Sequence, residues 1–211
     1  QRPSQPRTRT AITAAAPSQA SQKNTGTHRA AGTPHPLQQA YDIDAIPAAH
    51  AEIDTWRENF KGVQHHHEAT NLIITGAIDD LWIDSAGRYL VVDYKATAKK
   101  APVTTMEAAW MAGYKRQMEI YQWLLRRNGL DVSDTGYFVY CTGNPNAPAF
   151  DARIDFDVHL IPYDGRDDWV EPTIFALHEC LNRDEIPPAA EGCDYCAYVG
   201  AVNEAVTDGK R

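Results

Sequence analysis

The chain has no long hydrophobic run. Its apolar stretches are a handful of residues each, against the roughly 20 that a bilayer-spanning helix needs, and its N-terminus carries no apolar signal-like core. A soluble, cytoplasmic protein is expected. Cysteine is scarce: of Cys141, Cys180, Cys193 and Cys196, only the last two are closely spaced, which excludes a dense disulfide framework and favours reduced thiols. The first forty residues lack any acid. Arg2, Arg7, Arg9, Lys23 and Arg29 give them a charge of +5, so residues 41–211 carry −13 of the net −8. An acidic body excludes a broadly basic, nucleic-acid-coating surface. It remains compatible with a nucleic-acid enzyme where cations gather locally or a metal supplies positive charge.

Large apolar residues are nearly missing from Gln1 to about Thr33, which is built of Ser, Thr, Ala, Gln, Pro and Arg. Such a segment cannot bury enough surface to offset the entropy of ordering. Residues 1–40 are therefore expected to be a disordered or loosely attached basic segment, with a short Ala-rich helix near Ala11 to Ala20 as the alternative. The rest of the 211 residues, in a chain that is 43% hydrophobic, suffices for one well-buried core.

Along that body, "PHPLQQAYDIDAIPAAH" reads as an irregular connector, because Pro34, Pro36 and Pro47 interrupt helix. Ile53, Trp56 and Phe60 fall at helical spacing. "TNLIITGAIDDLWID" reads as a strand, "SAGR" as a turn and "YLVVDYKAT" as the antiparallel partner. A long helix follows, with Trp110, Met111, Tyr114, Met118, Tyr121, Leu124 and Leu125 as its stripe and Gly129 as its C-terminal cap. Strands "TGYFVYCTG" and "FDVHLIPYD", a helix "TIFALHECLNRD", and a Pro-led loop with a cysteine knuckle and a terminal helix complete the chain. The order predicts an α/β fold, with helices packed on a small mixed sheet.

The chemistry concentrates in the hairpin. Side chains alternate along a strand, so Asp93 and Lys95 point together and Tyr94 points away. On the partner strand Asp79 and Asp80 are adjacent, so one of them faces the side of Asp93. Two carboxylates a few ångströms apart repel unless a cation lies between them, and hard ions such as Mg²⁺ prefer carboxylate oxygens and commonly sit against a phosphate. Lys95 is then placed to hold or deprotonate water or to offset charge on a phosphorane. Gly76 leaves room for backbone or substrate to approach. Taken alone, Asp93 and Lys95 would be a surface salt bridge worth under ~1 kcal/mol; Asp80 is expected to be exposed.

Gly76-Ala77-Ile78-Asp79, then Asp93-Tyr94-Lys95, then Gln117 and Tyr121 in "QMEIY" resemble the PD-(D/E)XK nuclease superfamily and its RecB-like branch, which includes CRISPR-associated exonucleases. The resemblance implies a restriction-endonuclease-like mixed central sheet flanked by helices over residues 41–211. It implies a DNA nuclease dependent on Mg²⁺ or Mn²⁺, hydrolysing phosphodiester bonds through a metal-activated water. Asp79 and Asp93 would ligate the metal, Tyr94 would add its backbone carbonyl, and Lys95 would be catalytic. Gln117 and Tyr121, four apart and hence on one helix face, would line the site or contact DNA; Tyr121 fits the helix core equally well.

"CDYCAY" is similar to the C-terminal knuckle of RecB-like nucleases, whose C-x-x-C pair helps to hold an iron–sulfur cluster. Cys193 and Cys196 are thus candidate cluster or zinc ligands, with Cys141 and Cys180 required to complete four. A degenerate, metal-free knuckle is favoured. His65 to His67 read as a solvated turn, with His67 or His35 as candidates for an additional metal ligand. The superfamily fold opens with an acid-bearing helix, and the segment near Trp56, with Glu58, is the candidate here. Without it, a catalytically inactive nucleic-acid- or protein-binding member of the same fold is the alternative.

Overall fold

The computed structural model describes residues 11–13, 33–146 and 154–208. Of the basic segment, residues 1–40, only residues 33–40 and Ala11–Thr13 are described, and the latter form strand β1 where the alternative reading placed a helix. The connector is not irregular. Pro36 opens helix α1 (Pro36–Ala40) from its first turn, and the His35 ring accepts a hydrogen bond from Leu37 N–H (3.1 Å). Proline at that position costs no hydrogen bond, because the first amides of a helix have no partner anyway. A short strand β2 (Ala45–Pro47) follows. Helix α2 is only Ile53–Trp56, and Phe60, expected on its apolar face, stands in solvent.

The stretch read as one strand before the hairpin turn is two strands in two sheets. β4 (Leu72–Gly76) pairs antiparallel with β3 (Val63–His67) and parallel with β1, whereas β5 (Asp80–Asp84) pairs antiparallel with β2 and with β6 (Tyr89–Ala98). Between them, Ala77–Asp79 leave the ladder. Ile78 N–H donates to the carbonyl of Trp56 (3.1 Å), so the end of α2 holds the break. Gly62 sets the spacing beneath it. It has φ +64°, and a Cβ there would lie 2.6 Å from the carbonyl oxygen of Gly76; only glycine accepts both conditions.

The larger sheet has the order β2-β5-β6-β7-β8, with β7 (Thr135–Gly143) parallel to β6 and β8 (Phe156–Asp164) antiparallel to β7. Parallel neighbours need a crossover. Helix α3 (Ala112–Arg127), preceded by one 3₁₀ turn at Ala109–Met111, supplies it. It ends as expected, with Gly129 at φ +84° and Leu130 N–H bonded to the carbonyl of Leu125, a Schellman cap. Leu90 and Val92 face one side of the sheet, in a core with Trp82, Val139 and Leu160. Val91, Asp93 and Lys95 face the other side, where α3 packs on β6. There Leu81, Phe138, Met118, Leu124 and Leu125 are fully buried, each worth roughly 1.5–3 kcal/mol by transfer from water.

The chain divides into two compact units, residues 1–173 and 174–211, with the boundary inside α4 (Val170–Leu181). In the second, helix α5 (Asp194–Asp208) has no buried residue. No helix among the described residues is long and apolar enough to cross a membrane.

Candidate active site

The break after β4 is what brings two acids together. β5 starts its pairing at Asp80 opposite Val92, so Asp79 stands just off the strand end, level with the next residues of β6. Its Oδ2 accepts the backbone N–H of Tyr94 (2.8 Å). Asp79 keeps one side open to solvent while protein closes around the other. Dehydration pushes its carboxyl up, against the opposing pull of the Tyr94 amide and of Lys95.

Asp93 is 2% exposed. Dehydration dominates its titration, Lys95 pulls against that and Asp79 adds to it, and the carboxyl is pushed up to about 7. The Lys95 ammonium is ion-paired with Asp93 Oδ2. That oxygen is buried, with the ammonium held against it. Lys95 also donates to Gln117 Oε1 (3.0 Å) and lies over the ring of Tyr114, 4.6 Å from its centre. Gln117 Nε2 donates in turn to the Tyr121 hydroxyl (2.6 Å). Burial first, and then the charges of Asp93 and Asp79, push the Tyr121 hydroxyl well above its ordinary value; it stays a neutral donor.

The residues that strand alternation and the family resemblance singled out meet: Asp79, Asp93, Lys95, Gln117 and Tyr121 form one linked cluster. Gly76 has a different part from the one expected. A Cβ there would lie 2.7 Å from the Tyr121 ring, so the glycine admits that ring rather than a substrate. Asp80 is not free in solvent. Arg57 pairs with its Oδ1 and the Tyr94 hydroxyl donates to its Oδ2 (3.2 Å), while Arg57 Nε–H also donates to the backbone carbonyl of Asp79 (2.8 Å). Arg57 thus holds the Asp79 segment from behind. No periodicity pointed to it; its one signal was a cation beside Trp56 in an acidic body.

The donor set fits a hard divalent cation. Two carboxylates face each other, one of them buried, and Asp79 raises the cost of ionising Asp93. Among the described residues no group of three or more His, Cys, Asp or Glu side chains is arranged to hold a metal, so further ligands at this pair would be backbone carbonyl, water or phosphate oxygens.

The other candidates within residues 1–173 lie apart from this cluster. The three histidines are not a turn but strand β3. His67, opposite Leu72 at the far end from Gly76, is buried between Thr70 Oγ1 (2.8 Å) and Glu171 Oε1 (2.9 Å). His65 is edge-on to Trp123. His35 caps α1. Glu58 is exposed and paired with Lys61 (2.9 Å), while Cys193 and Cys196 lie at the start of α5 as free thiols. The amide of Cys196 holds the Cys193 thiol below its ordinary value.

Comparison with curated proteins gives no match. The profile of one family does match, over residues 2–201, a span that includes both sheets and the carboxylate pair. With its five-stranded mixed sheet flanked by helices, this chain belongs to the PD-(D/E)XK nuclease superfamily and has the restriction-endonuclease-like fold.

Proposed function

We propose that this chain is a divalent-metal-dependent DNA nuclease of the RecB-like kind, with Asp79, Asp93 and Lys95 as its catalytic residues. The observation that carries this reading is the buried Asp93 carboxyl, set against Asp79 and ion-paired with Lys95. Asp79 and Asp93 would hold Mg²⁺ or Mn²⁺, with the Tyr94 carbonyl as a third oxygen. The N–H and C=O of one strand residue point the same way, and the Tyr94 N–H points at Asp79. When bound, the ion would lower the pKa of a water ligand and polarise the phosphate.

The side chains account for the remainder. Lys95 lies against Asp93 and is oriented by Gln117, so it can offset charge on a phosphorane oxygen or hold the attacking water by a hydrogen bond. Tyr121, held as a neutral phenol, can only donate to an anionic oxygen. Exonuclease action is the mode that the RecB-like resemblance suggests.

Asp79→Ala, Asp93→Ala and Lys95→Ala should each reduce cleavage of linear DNA in Mn²⁺ by about a hundredfold or more, with circular dichroism unchanged. Wild-type cleavage in all three refutes the assignment. An intact chain that binds DNA without cleaving it in Mg²⁺ or Mn²⁺ would instead mark an inactive, binding member of the fold.

A further inference from the structure

Between Lys95 and Arg116 the charge balance of this acidic body reverses. Lys95, Lys99, Lys100, Lys115 and Arg116 face a single acid, Glu107, and Lys99 and Lys100 are exposed. Within this stretch stands Trp110. It was expected in the buried stripe of α3, but it precedes that helix in the 3₁₀ turn and is 52% exposed. Lys99 Nζ lies 4.0 Å from the centre of its ring. On its inner side Trp110 meets Tyr114 edge-on at 5.9 Å, and Tyr114 lies beneath Lys95. One ring therefore separates an open indole from the ammonium that touches Asp93.

Other large apolar side chains are also exposed, Phe60 and Ile186 among them. Trp110 differs in being tied to the carboxylate pair by consecutive ring and cation contacts and in being flanked by lysines. An indole beside ammonium groups suits a polyanion with flat apolar faces. Single-stranded nucleic acid is such a ligand, because its bases are free to stack and its phosphates to pair with lysine. In a duplex those faces are covered by neighbouring base pairs except at its two ends, so the indole offers it far less.

We infer that Trp110 and Lys99 form a stacking ledge for an unpaired base of single-stranded DNA, which delivers the adjoining phosphate past Tyr114 to Lys95. This rests on the nuclease reading of the Asp79–Asp93–Lys95 cluster and adds a strand preference to it. Trp110 acts in selecting substrate and not in the reaction itself.

The test is fluorescence anisotropy with the full chain in EDTA, using a labelled oligothymidylate and a blunt duplex of similar length. The wild type should bind the single strand more tightly. Trp110→Ala should weaken that binding by about tenfold, in the range of one lost base–aromatic stack, and change duplex binding by less than about twofold. Trp110→Phe should restore most of the loss, which a folding defect would not allow. Lys99→Ala should weaken both ligands and reduce the salt dependence. Unchanged oligothymidylate binding by Trp110→Ala, or tighter duplex binding by the wild type, overturns the ledge. The nuclease reading is tested apart from it: cleavage lost in Asp93→Ala with no effect of Trp110→Ala on binding leaves the site and removes the ledge. A Trp110-dependent preference in a chain that never cleaves leaves the ledge and removes the nuclease.

Discussion

Replacing Asp93 by Asn should make the metal-free protein more stable at pH 8 and less responsive to metal. Asn keeps the shape of the side chain but cannot ionise. The Asp93 carboxyl has an ordinary value of 3.8 in the unfolded chain and is pushed up to about 7 in the folded one. Between those values the folded state binds the extra proton, so stability falls as pH rises through this window and levels off above it. Three units at ~1.36 kcal/mol each give a penalty of about 4 kcal/mol at pH 8, which for a chain of this size is roughly 10 °C in Tm. Other groups titrate as well, and the difference between wild type and Asp93→Asn cancels most of them. The assay is thermal or urea unfolding of both proteins from pH 5 to pH 8 in EDTA, repeated in Mn²⁺. The wild type should approach or exceed the variant at pH 5, fall below it by pH 8, and recover in Mn²⁺, while the variant gains little. Parallel stability curves in EDTA would refute the argument that dehydration dominates at Asp93.

Two further substitutions probe the support of the site. Gly62→Ala combines a left-handed φ with a Cβ placed 2.6 Å from the Gly76 carbonyl oxygen, and backbone on both sides leaves little room to yield. It should cost about 3 kcal/mol and lower Tm by roughly 6–12 °C; a Tm like that of wild type would show that the loop relaxes freely. Arg57→Ala removes the donor behind Asp79 and the partner of Asp80, and should weaken Mn²⁺ binding by about tenfold or more with the fold kept. Unchanged affinity by calorimetry would count against its positioning part.

The active cluster was legible from two short periods and from the family resemblance that joins them. A period of two puts Asp93 with Lys95, and a spacing of four puts Gln117 with Tyr121. The parallel β6–β7 pairing then brings the helix over the strand, and Lys95 reaches Gln117. The break at Ala77–Asp79 was not legible, since strand-forming apolar residues flank Gly76 and the Asp79–Asp80 pair on both sides and mark no loop between them. It is imposed from outside, by the Trp56 carbonyl and Arg57. Strand β3 was hidden for the opposite reason. Gln64 and three histidines resemble a polar turn, yet His67 is buried through specific partners, Thr70 and Glu171. Trp110 fitted the helical stripe by spacing, but the 3₁₀ turn rotates it out of the packed face.

The seam between β4 and β5 has a mechanical meaning. Asp93 is fixed in the middle of a five-stranded sheet, whereas Asp79 hangs from a three-residue link whose other end belongs to the small sheet of β1, β4 and β3. The gap between the two acids is therefore set where two sheets meet: Asp93 takes its place from the ladder of β6, and Asp79 from the Trp56 carbonyl, Arg57 and the Tyr94 amide that pin the link, so a substitution on either side of the seam reaches the spacing of the pair.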